Sequence, residues 1–139
     1  MLMAPADNTY KKDSQMTKRN HRSRREAGRS FERSIADHLK EQLGDEDIDR
    51  QVKMGSKDKG DIRGVKHMGQ RVAVECKNHT KLSLGPWMNE AHKAMGHADA
   101  GVGLIVHKRH GKGQPGDQWV TMTVDDLIAL ITGEPRQLP

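Results

Sequence analysis

The chain has 139 residues and a mass of 15.6 kDa, which suits one domain. Its net charge is +5 and its pI about 9.5, and its single cysteine, Cys76, excludes an internal disulfide framework and a cysteine-rich zinc site. No apolar run approaches membrane-spanning length, so no membrane partner is expected.

Charge and apolar content are unevenly spread. Residues 1–26 carry seven Lys/Arg against three Asp/Glu, whereas residues 27–139 carry 17 against 16. Leu, Ile, Val and Phe together number 24, and 23 of them fall after residue 26. That supports one small core, which burial against a second copy would supplement, so a homodimer is expected. Residues 1–25 read as a disordered basic tail, and the folded domain as residues 26–133, with a short tail at 134–139. A basic tail points to a polyanion, most often nucleic acid. The opening MLMAPADNTYKK turns polar at once, unlike a signal-peptide core. The expected setting is the cytoplasm, including a host's if the gene is a phage's.

From Glu26 the pattern is helical. Phe31, Ile35, Leu39 and Leu43 recur every fourth residue, and Gly44 is a helix stop. Glu32, Ile35 and Leu39 stand at i, i+3, i+7, which puts Glu32 at the edge of the buried face. DIDRQVKM (47–54) reads as an imperfect strand, GSKDKG (55–60) as a turn, DIRGV (61–65) as a short strand and KHMGQ as a hairpin turn. RVAVECK (71–77) is a clear strand. Pro86 fits a first helical turn, followed by a stripe of Trp87, Ala91, Met95 and Ala98. GVGLIVHK (101–108) reads as a central strand buried on both faces. RHGKGQPGDQ (109–118) is a basic loop and WVTM a fifth strand. Thr123 caps a last helix with Asp126 three residues on, and Leu127, Leu130 and Ile131 are expected to point inward. The fold class is therefore α/β, in the mixed α+β sense: a central five-stranded mixed sheet flanked by helices.

Period two in RVAVECK puts Val72, Val74 and Cys76 on one face and Glu75 and Lys77 on the other, about 7 Å apart. If DIRGV pairs with this strand, Asp61 joins them and Ile62 falls beside Val74. A helix packed nearby would add Glu32. Three carboxylates and a lysine on one sheet face would repel without a cation and suit Mg²⁺ or Mn²⁺. Such ions activate water and neutralise charge on a phosphate being displaced. Lysine beside them would position water or neutralise developing charge. Cys76, on the opposite face, reads as a core residue.

Asp61, followed fourteen residues later by Glu75-Cys76-Lys77, resembles the signature of the PD-(D/E)xK nuclease superfamily, with Gly60 in the place of the usual proline. GRSFERSIADHLKEQLG is similar to the first helix of archaeal-type Holliday-junction resolvases, where Glu32-Arg33 match a glutamate followed by arginine. The resemblance covers residues 28–108. It implies a restriction-endonuclease-like αβββαβ core and a dimeric, Mg²⁺-dependent, structure-selective DNA endonuclease acting on branched DNA. It makes Asp61, Glu75 and Glu32 metal-binding and catalytic candidates, with the backbone carbonyl of Cys76 as a further ligand and Lys77 serving the water. One or two ions per site are implied.

DNA contacts are expected from Arg22, Arg24, Arg25 and Arg29 in the basic run, and from Ser56, Lys57 and Lys59 in the loop before Asp61. Lys108, Arg109 and Lys112 after the central strand complete the set. His107 and His110 are read as solvated or phosphate-facing. His79 and Glu90 are further candidates to approach the site. Two other readings remain: the same core acting on linear or damaged DNA, and a nucleic-acid-binding module whose carboxylates are structural.

Overall fold

The computed structural model describes residues 6–53 and 55–135, with side chains from residue 21 onward. It opens with one long helix, α1 (Ala6–Leu43), of 38 residues. Phe31 and Ile35 are buried and Leu39 is half-buried, as the fourfold spacing demands, and Gly44 ends the helix at φ +62. The helix starts 25 residues before Phe31, the first residue of this stripe. Residues 6–25, read from the sequence as disordered, are helical; residues 1–5 lie outside the described residues. Between residues 6 and 27 there is no Gly or Pro, and Lys, Arg and Gln are good helix formers. A helix without an apolar face leaves no hydrophobic period to read. Arg22 and Glu26 form one i, i+4 pair along it.

The strands are β1 (Asp49–Arg50), β2 (Ile62–Arg63), β3 (Lys66–His67), β4 (Gln70–Lys77), β5 (Val102–His107) and β6 (Trp119–Thr121). The sheet runs β1-β2-β4-β5-β6, with β3 paired to β4 off this path. It is mixed, because β4 and β5 are parallel and every other pairing is antiparallel. There are six strands rather than five. The additional one is β3, which lies inside KHMGQ, read from the sequence as turn alone. Met68 and Gly69 both take positive φ and make the tight two-residue connection that sets His67 opposite Gln70.

Helices α2 (Leu84–His97) and α3 (Val124–Thr132) complete the fold. Phe31 and Ile35 of α1 pack with Val72, Val74 and Cys76 on one face of the sheet. Ala94 and Met95 of α2 pack with Ala73, and Trp87 and Ala91 with Ile105, on the other. All six residues of β5 are buried, as expected for a strand covered on both faces. Thr123 and Asp126 form the expected capping box. The inward face of α3 differs from the expected one: Asp126, Ala129 and Leu130 face the body, while Leu127 and Ile131 are exposed. No helix among the described residues is long and apolar enough to cross a membrane.

Candidate active site

Asp61 is delivered by an unusual backbone. Gly60 has φ +100, and a Cβ there would lie 3.1 Å from the Val74 carbonyl oxygen. A proline, fixed near φ −65°, could not follow this path. Glycine permits the close approach, and the Asp61 amide then donates to the Val74 carbonyl at 2.8 Å. Ile62 falls opposite Val74, the pairing expected from the sequence. Ile62 enters the core under α1, so alternation turns Asp61 to the α2 side. The same rule acts on β4: Ala73 packs against α2, and Glu75 and Lys77 follow it to that side.

These three residues meet where the parallel strands β4 and β5 end, at an open cleft of about 1030 Å³. The carboxyl ends of adjacent parallel strands are a frequent ligand position in α/β sheets. Asp61 and Glu75 are both buried, Glu75 to 2% exposure. The Cys76 backbone amide donates to Asp61 Oδ2 at 2.8 Å. Glu75 Oε1 has no hydrogen-bond partner. Burial, then the neighbouring Asp61 and Asp58 carboxylates, push the Glu75 carboxyl up to about 9. Its neighbour Cys76 stays in the core, where burial raises the thiol well above its ordinary value. That agrees with a packing role.

The remaining charges around the cleft are paired across elements. Lys77 Nζ contacts Glu90 Oε2 on α2, so Glu90 reaches the site through the lysine. Lys53 Nζ stands 3.8 Å from Asp61 Oδ1. Glu32 lines the same cleft, but it comes from the helix on the other face, and Arg50 holds its Oε2 at 3.0 and 3.2 Å. Arg33, beside it, donates to Asp49 at 2.7 Å. Asp49 sits below the usual carboxylate range because the Arg50 amide and the Arg33 guanidinium donate to it.

Of the basic candidates, Arg24, Arg25 and Arg29 line this cleft, and Arg22 faces a smaller recess shared with Arg25 and Arg29. Ser56, Lys57 and Lys59 line a separate small pocket beside it. Lys108, Arg109 and Lys112 lie outside the cleft; Arg109 stacks over Trp119 at 4.4 Å and Lys108 Nζ donates to the Lys112 carbonyl. His79 lines the cleft with its ring 5.5 Å from that of Trp87. His107 is not solvated: it is buried, shares a 2.7 Å hydrogen bond with Thr121 Oγ1, and burial lowers its pKa. Exposed His110 donates to the His79 carbonyl at 2.8 Å.

Sequence reasoning missed Arg50, Lys53 and Asp58. Asp58 accepts from the Gly60 amide at 2.8 Å, so in sequence it reads as a turn residue, yet it also lines the cleft. Compared with models of known families, with curated proteins and with solved structures, the chain matches none.

Proposed function

We propose that this cleft hydrolyses phosphodiester bonds in DNA with the help of a divalent cation, and that the substrate is branched DNA such as a four-way junction. One observation carries the reading: a carboxylate buried to 2% exposure, in contact with a second carboxylate, keeps an oxygen with no partner at the wall of an open cleft. Buried polar atoms are almost always satisfied, and an orphan at a cleft wall is a place for a ligand.

Asp61 and Glu75 fit a hard cation, Mg²⁺ or Mn²⁺, because both are oxygen donors and Glu75 Oε1 is free to bind. No three His, Cys, Asp or Glu side chains among the described residues converge on one point. The two carboxylates would therefore be joined by the Cys76 carbonyl and by water, and Glu32 would act from outside through Arg50. When bound, such an ion supplies an activated water and neutralises charge on the phosphate. The protein's own residues do the rest. Asp61 is fixed by the Cys76 amide. Lys77, held at the cleft wall by Glu90, places an ammonium where charge would develop on the phosphate oxygens. Arg24, Arg25 and Arg29 bring positive charge to the rim and would meet the DNA backbone.

The test is cleavage of a synthetic four-way junction, a matched linear duplex and a single strand, with Mg²⁺ or Mn²⁺ and with chelator. The expected result is metal-dependent nicking of the junction, reduced at least ~10³-fold in Asp61→Asn and Glu75→Gln. Equal cutting of all three DNAs would move the reading to a nuclease of linear or damaged DNA. Binding with no cutting would make the carboxylates scaffold and overturn it.

A further inference from the structure

The sheet face that carries Asp61 and Glu75 continues beyond the cleft, towards the start of β4. Alternation puts Arg63 of β2 on the same side as Asp61, and Arg71 of β4 on the same side as Ala73 and Glu75. Lys66 lies directly opposite Arg71 and so shares its side. The register of Ile62 with Val74 then orders the face in rows: Asp61 beside Glu75, Arg63 beside Ala73, Lys66 beside Arg71. Gly64 makes the bend between Arg63 and Lys66. It takes φ +83, and a Cβ there would lie 2.4 Å from the Asp47 carbonyl oxygen, so only glycine fits.

Helix α2 covers β4 and β5 through Ala73 and Ile105. Beside its end a recess of about 330 Å³ stays open, lined by Lys59, Arg63, Lys66 and Arg71, with Asp47 its one carboxylate among the described residues. Arg71 is fixed there, since its Nη1 donates to the Ala98 carbonyl at 3.0 Å. Lys59, Arg63 and Lys66 are exposed, and among the described residues none has an ion-pair partner or a side-chain hydrogen bond. At the cleft, by contrast, Arg50 and Lys77 are each held by a carboxylate. Unpaired cations gathered in a concave surface raise the local concentration of anions.

The recess is aligned with the cleft. Rows on one sheet face are roughly 7 Å apart, so its cations stand roughly 7 and 13 Å from the carboxylates, about two and four steps of a DNA strand. On the other flank, Arg24, Arg25 and Arg29 line the cleft near the far end of β4, where Asn78 donates to the Ala27 carbonyl at 3.5 Å. Asp61 and Glu75 therefore stand between two cationic groups. We propose that the recess is a second phosphate site, which grips the DNA backbone a few steps from the cleft while the α1 arginines hold the opposite flank. It rests on DNA as the partner, and not on cleavage.

Fluorescence anisotropy of a labelled duplex and a labelled four-way junction with the full chain, in chelator so that nothing is cut, tests it. Arg63→Gln with Lys66→Gln should weaken binding at least ~10-fold at roughly 0.1 M salt and reduce the slope of log Kd against log salt by roughly 2. Lys40→Gln with Lys93→Gln removes the same charge outside both flanks and should change binding less than ~3-fold. Arg63→Lys with Lys66→Arg should keep the slope, which separates lost charge from lost fold. Iron–EDTA tethered at Lys66→Cys should cleave the bound DNA, and at Ile128→Cys on α3 it should not; Cys76 is buried and escapes the tether. Binding indifferent to the Arg63 and Lys66 pair, equal weakening by the Lys40 and Lys93 pair, or equal cleavage from the two tethers would overturn the proposal, even in a protein that cuts junctions. Recess-dependent binding by a protein that cuts nothing would uphold it and end the reading of the cleft as a nuclease. Absence of DNA binding would end both.

Discussion

Two buried carboxylates, at opposite ends of the same sheet, have opposite surroundings. Asp126 is wholly buried and accepts from Thr123 Oγ1 and the Gly103 amide, with His92 Nε2 at 2.7 Å. Those partners outweigh burial and hold its carboxyl below its ordinary value. Glu75 is almost as buried, has an oxygen with no partner and a carboxylate beside it, and is pushed the other way. Burial is therefore shared by a structural and a candidate functional acid. Missing partners separate them, because a fold has no stability to gain from leaving a buried oxygen unsatisfied.

The contrast can be broken most directly at Asp126. Asp126→Ala leaves the Gly103 amide and His92 facing a cavity, and a loss of about 3–5 kcal/mol in urea unfolding is expected. A loss below ~1 kcal/mol would end its role as the pin between α2, β5 and α3. The opposite sign is expected at Glu75. With divalent cations chelated, Glu75→Gln removes the cost of neutralising, on folding, a carboxyl that is ionised in the unfolded chain, and a gain of roughly 2 kcal/mol near pH 8 should follow.

The pH profiles sharpen the same point. A carboxyl raised from 4.5 to about 9 in the folded state contributes stability that is complete below 4.5 and lost as pH rises towards 9. Chelated wild type should therefore lose melting temperature across that window, and Glu75→Gln should flatten the slope. Asp126, lowered below 3.8, acts in acid only: its contribution holds above that value and is lost as pH falls through its folded-state pKa. The smallest effect is expected at the helix cap, where Thr123→Ala should cost about 1 kcal/mol in the same unfolding measurement.

Much of the frame was legible because local rules decide it. Alternation placed Ile62 beside Val74 and sent Glu75 and Lys77 to one side, and the cap at Thr123 and stop at Gly44 follow from residue type. Elsewhere the deciding contact was distant in the chain. Arg50 engages Glu32 across eighteen positions, which no spacing rule reports. Helix α3 has apolar residues on more than one side, so its period admitted two orientations. The bonds of Asp126 to α2 and β5 chose between them. The early part of α1 has no apolar face, so only residue propensity could have indicated it.

The Cys76 contact to Asp61 runs through the main chain, since the amide holds the carboxylate while the thiol points into the core on the far side of the sheet. The position between Glu75 and Lys77 is thus chemically anonymous. A saturation library there should accept small apolar replacements by volume alone, and should reject proline, which has no amide proton to offer.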